Sequence, residues 1–112
     1  MARKVLLVDD DKEFRAVAAL VLENAGYVVT EAPDGLAALE LMRTEAPDLI
    51  ISDLHMPLMD GLEFLKRRKD KTPVIVVSAI SRDDDSIAKK AMALGALDYV
   101  EKPTKENLKI QK

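Results

Sequence analysis

Several polar residues stand directly behind short apolar runs. Asp9, Asp10 and Asp11 follow Val5 to Val8, Asp53 follows Leu49 to Ile51 after one serine, Ser78 follows Val74 to Val77, and Lys102 comes shortly after Leu97 to Val100. Carboxylates forced together repel each other unless a cation sits between them. All-oxygen ligation with several retained waters suits Mg²⁺. Beside such an ion Asp53 could accept a phosphoryl group, because charge on the incoming oxygens would be neutralised. Ser78 could donate a hydrogen bond to a phosphoryl oxygen, and Lys102 could bring a point charge on a long stem. Taken singly, each residue has an ordinary explanation. Asp11 would cap a helix, Asp53 would be a turn acid, Ser78 a loop hydroxyl, Lys102 a solvated cation and Tyr99 a half-buried strand residue. Only their joint placement points to chemistry.

The apolar pattern supplies that placement. Val5 to Val8 reads as a strand buried on both faces. From Asp11, Phe14, Val17, Ala18, Val21 and Leu22 recur at helical spacing until Gly26. Tyr27 to Thr30 is β-prone, and Pro33-Asp34-Gly35 reads as a turn. Leu36, Leu39 and Met42 give a second helical stripe, ended before Pro47. Leu49 to Ile51 is the next strand, and a third helix is expected from about Leu62 to Arg68. Val74 to Val77 is strand-like. Ser81-Arg82-Asp83-Asp84 resembles a helix start, with Ile87, Ala91 and Leu94 as its stripe and Gly95 as its stop. Leu97 to Val100 is a last strand, and a polar final helix follows from Thr104.

Five apolar strands alternating with amphipathic helices imply an α/β fold, a doubly wound parallel sheet covered by helices on both faces. An open five-stranded sheet of this kind favours the flavodoxin-like order 2-1-3-4-5, with ligands bound beyond the carboxyl ends of the strands. Strands one, three, four and five are then neighbours, about 4.8 Å apart, and their terminal polar residues surround one crevice.

Composition narrows the partners. At 112 residues the chain fits a single domain, 1–112. It has no cysteine and one histidine, which leaves no thiolate or multi-histidine metal site. A net charge of −3 argues against direct nucleic-acid binding. No apolar run approaches the roughly 18 residues of a membrane span. The start carries no signal-peptide core, so a cytoplasmic location is expected.

VLLVDDD, DLIISDLHMPLMDG, PVIVVSA and GALDYVEKP together resemble the receiver domain of two-component response regulators. The resemblance covers essentially the whole chain, with its motifs in order. It implies that Asp53 is the phosphoacceptor. It implies Mg²⁺ held by Asp10, Asp53 and the backbone carbonyl of His55, with Asp9 acting through water. Ser78 would contact the phosphoryl group as the switch hydroxyl, Lys102 would contact it as a cation, and Tyr99 would be the switch aromatic. Pro103 would follow Lys102 in a cis-prone bond. His55 and Ile80 fall where the family tunes dephosphorylation, and an apolar Ile80 implies slow self-dephosphorylation. Pro57 disfavours helix at Met56, keeping an open loop after Asp53.

The implied function is a phosphorylation-dependent switch rather than an enzyme. A sensor histidine kinase or phosphotransfer protein would donate the phosphoryl group. A downstream protein would read the face of the fourth helix, fifth strand and fifth helix. The chain could stand alone, as in the chemotaxis type, or be the receiver of a longer regulator such as a chemotaxis methylesterase. A receiver-shaped scaffold that is never phosphorylated is the alternative. A flavodoxin-type electron carrier is disfavoured because Asp9, Asp10 and Asp11 would repel a bound phosphate. A haloacid-dehalogenase-type phosphatase is disfavoured because its nucleophile follows the first strand, whereas Asp53 follows the third.

Overall fold

The computed structural model describes residues 3–53, 72–78 and 85–101. The strands are β1 (Lys4–Val8), β2 (Val28–Ala32), β3 (Leu49–Asp53), β4 (Val74–Ser78) and β5 (Asp98–Glu101). The described helices are α1 (Lys12–Asn24), α2 (Gly35–Thr44) and α3 (Asp85–Ala93), the last being the helix expected around Ile87 to Leu94. The helix expected over 62–68, the helix start at 81–84 and the final helix from Thr104 lie outside the described residues. All pairings are parallel, as the alternation of elements implied, and the order is β2-β1-β3-β4-β5, the one expected of an open sheet of this kind.

Side chains alternate across the sheet. On one face Leu6, Val8, Ile50, Val74, Val76 and Tyr99 form a core with Ala38 of α2, Ala91 of α3 and Ala96. Each fully buried large apolar side chain here contributes about 1.5–3 kcal/mol. On the other face Val5 and Leu7 are buried, and α1 buries Phe14 and Ala19. Small residues at the helix positions facing the sheet let the backbones approach closely.

Two helical stripes differ from the sequence expectation. In α1, Val21 is 62 % exposed while Ala19 is buried. The inward arc is rotated toward Arg15 and Ala19, which a purely apolar pattern does not reveal because it discounts arginine. In α2 the buried positions are Gly35 and Ala38, and Leu36 is exposed. The Asp34 carboxylate accepts from the Ala37 N–H at 2.8 Å and so fixes where α2 starts. Gly35 is therefore the first helical residue rather than the end of a turn. From that start Ala38 faces the sheet, and Leu36 falls about 200° away from it around the helix.

Local signals set the other boundaries. Asp11 caps α1, with its Oδ1 accepting from the N–H groups of Glu13 (3.0 Å) and Phe14 (3.2 Å). Gly26 and Gly95, just beyond α1 and α3, have φ of 98° and 101°. That left-handed geometry is the one glycine adopts at low cost after a helix. β2 and β5 are the sheet edges, and their outward residues Val28 and Val100 are exposed.

Candidate functional site

The register positions the acids. Val8 pairs with Ser52 across β1 and β3, so the next residues along, Asp9 and Asp53, emerge side by side at the carboxyl end of the sheet. Asp9 is held from three directions. Its N–H donates to the Ala32 carbonyl (3.1 Å), its Oδ1 accepts from the Asp11 N–H (2.8 Å), and its carbonyl accepts from Arg15 Nη1. Asp10 follows on the β1–α1 loop and is exposed.

One carboxylate oxygen from each of Asp9, Asp10 and Asp53 lies within 4.8 Å of the others. Asp9 and Asp53 are buried, whereas Asp10 faces solvent. Three hard oxygen donors, two of them in a site shielded from water, suit a divalent cation that keeps some of its own waters on the open side. Asp11, spent on the α1 cap, lies outside this group.

The hydroxyl and the aromatic residue lie further along the sheet. Asp53 pairs with Val77, which places Ser78 one residue beyond it on the neighbouring strand. Ser78 is fully buried. Tyr99 pairs with Val76, two residues before Ser78, so Ser78 and Tyr99 share the α2–α3 side of the sheet. Tyr99 is 1 % exposed and part of the core. It is more deeply buried than its ordinary reading as a half-buried strand residue. Lys102, His55, Ile80 and Pro103, expected to complete the site, lie outside the described residues.

Two further residues touch the site and escaped the sequence reading. Ser52, buried on β3, donates from its Oγ to the Asp53 carbonyl at 3.1 Å. Arg15 bridges the Asp9 carbonyl and Glu31, with 3.3 Å between Nε and Oε1. Arg15 lies four residues before the buried Ala19, hence on the same helical face. That spacing was the available signal.

Comparison with known proteins agrees with this arrangement. The family model for the response regulator receiver domain matches residues 5–111. The chain is 41 % identical over 105 residues to a protein-glutamate methylesterase/protein-glutamine glutaminase of Anaeromyxobacter dehalogenans, covering 92 % of this chain and 30 % of that protein. It is 38 % identical over 99 residues to the transcriptional regulatory protein CseB of Streptomyces coelicolor, covering 88 % of this chain and 42 % of CseB. The chain thus spans less than half the length of these relatives. Among solved structures, chemotaxis response regulator CheY4 of Vibrio cholerae superposes with a TM-score of 0.85 at 33 % identity, over 99 % of this chain and 96 % of that one. TrrA of Thermotoga maritima, solved in complex with Mg²⁺-BeF, gives 0.78 at 27 % identity, over 97 % and 94 %. Asp9, Asp10 and Asp53 fit the receiver-domain Mg²⁺ site. Among the described residues no helix is long and apolar enough to cross a membrane. The chain belongs to the response regulator receiver domain family.

Proposed function

We propose that this chain is a single receiver domain over 1–112 that works as a phosphorylation switch, with Asp53 as the phosphoacceptor. The observation that carries the reading is the convergence of the Asp9, Asp10 and Asp53 carboxylates at the carboxyl end of β1 and β3. A carboxylate at that position can attack the phosphorus of a phosphohistidine on a kinase or phosphotransfer partner. The P–N bond breaks, and the proton needed by the departing imidazole comes from solvent or the partner. Mg²⁺, when bound by Asp10, Asp53 and the His55 carbonyl with Asp9 behind a water, would neutralise charge on the transferred oxygens. Lys102 would add a second positive charge. We place the domain in the cytoplasm, where such a kinase would be met.

The readout we propose runs through Ser78 and Tyr99. A phosphoryl group on Asp53 offers acceptor oxygens one strand away from the Ser78 hydroxyl. Drawing Ser78 toward it changes the packing above Tyr99, which shares its side of the sheet. The face that α3 and β5 form, with the helix expected from Thr104, would then shift in population toward a form that a downstream protein binds. Tyr99 is already buried, so the coupling acts by repacking the ring within the core.

The test is intact-mass analysis after mixing the protein with Mg²⁺ and a small phosphodonor. A gain of one phosphoryl group is expected. It should vanish in Asp53→Asn and in excess chelator. Absence of any gain in the native protein, with Mg²⁺ binding demonstrated, would remove the phosphoacceptor reading and leave a scaffold. The greater length of the curated relatives supports a second reading, in which this receiver is one part of a longer regulator. The mass of the protein recovered from its native cell decides that point.

A further inference from the structure

We infer that Arg15 is a positioning residue for the acid pocket, acting through the backbone of Asp9. The inference rests on the metal site of the proposed function. Arg15 sits one turn into α1, and its side chain is 14 % exposed. Its planar fork makes two contacts in different directions, Nη1 to the Asp9 carbonyl and Nε to Glu31 Oε1 on β2. The Asp9 N–H already bonds to Ala32, the neighbour of Glu31 on the same strand. Asp9 is therefore fastened to the end of β2 twice, once by its own N–H and once through Arg15.

This clamp acts on the backbone that carries two of the three carboxylates, beside the Asp11 N–H that holds Asp9 Oδ1 directly. Asp9 is the first residue beyond β1, where the β1–β3 register ends at Val8 and Ser52. Asp10 is the next residue of the same loop, and its direction follows from the Asp9 peptide plane. Rotation of that plane would swing both acids relative to Asp53, whose position is set by β3. A fork of fixed geometry suits the task better than a lysine, which places one charge on a flexible stem. Groups that orient metal ligands from behind commonly govern affinity by about 10- to 100-fold.

The charge on Arg15 acts in the opposite direction. A cation beside three carboxylates weakens the attraction for a second cation. If Arg15 mattered only through its charge, removing it would tighten Mg²⁺ binding. If it mattered only for stability, removing it would lower the melting temperature and leave the affinity unchanged. Positioning alone predicts weaker binding.

The experiment is a titration with Mg²⁺ alone, followed through the amide signals of Asp9, Asp10 and Asp11, on native protein, Arg15→Met and Arg15→Lys. Melting temperatures in chelator are recorded alongside. Arg15→Met should bind Mg²⁺ about tenfold more weakly than the native protein. Arg15→Lys keeps the charge but cannot make both contacts at once, and should lose roughly threefold. Native or tighter affinity in Arg15→Lys overturns the inference, and this variant decides the matter if Arg15→Met does not fold. Failure of the native protein to bind Mg²⁺ at all would instead overturn the metal site itself, and the positioning role with it.

Discussion

Without Mg²⁺, the three clustered carboxylates should cost the fold stability, and Asp53→Asn should recover part of that cost. Asp9 and Asp53 are both buried, with carboxylate oxygens no more than 4.8 Å apart. At that separation two unit charges repel by about 0.9 kcal/mol at a water-like dielectric constant and about 3.5 kcal/mol at an effective value of 20. Asp10 faces solvent, so its repulsion is screened and adds little. Asparagine keeps the volume of the side chain and one acceptor oxygen. Any donor that bonds to the charged oxygens binds the amide less strongly, which offsets about 1.5 kcal/mol. The two terms nearly cancel at the water-like limit and leave a gain of up to about 2 kcal/mol at the lower dielectric constant, or up to roughly 8 °C in melting temperature for a domain of this size. The assay is thermal unfolding followed by circular dichroism, in chelator and then with Mg²⁺. At ten times its dissociation constant the ion should stabilise the native protein by about 1.4 kcal/mol. It should stabilise Asp53→Asn much less, so the gap narrows or closes. A variant that melts several degrees below the native protein in chelator would refute the reasoning. The Asp53 carboxylate would then be more strongly stabilised by its neighbours than opposed by Asp9.

Other substitutions probe other links. Ser78→Ala should leave the phosphoryl gain on Asp53 intact but abolish the accompanying shift of β5 and α3 amide signals; a full shift would show that the hydroxyl does not carry the readout. Asp11→Ala removes the α1 cap bonded to Glu13 and Phe14, and denaturant unfolding should report a loss of about 1 kcal/mol. Gly26→Ala meets no atom within 4 Å of the new Cβ, so its cost is conformational, about 1 kcal/mol from the positive φ; an unchanged midpoint would mean that the backbone relaxes there.

The elements at the site were largely legible in the sequence. Val5 to Val8, Leu49 to Ile51 and Val74 to Val77 are short β-rich runs, and each became the strand expected. The polar residues that close these runs were legible as strand ends, but β3 runs on to Asp53 and β4 to Ser78, and Asp9, Asp53 and Ser78 are all buried. The phases of α1 and α2 were less legible. Val21 and Leu36 looked like core residues and are exposed, while Ala19 and Ala38 are buried. Hydrophobicity ranks a leucine above an alanine, but a helix lying close on a sheet selects the smaller side chain at the point of contact. Tyr99 was underestimated for a related reason: β5 is an edge strand, and the core reaches one of its faces.

The sequence by itself determined the alternation of strands and helices, hence a parallel sheet, and the chemical types that stand at the ends of its strands. These are local properties, set by periodicity, caps and the residue after each strand. Only the tertiary structure decided which groups meet. The pairing of Val8 with Ser52 makes neighbours of Asp9 and Asp53, which lie 44 positions apart in the chain. The same packing brings Arg15 back onto the Asp9 carbonyl and onto Glu31 of β2. Such contacts depend on register and helix phase, and those are fixed by the packing of the whole sheet rather than by any single segment.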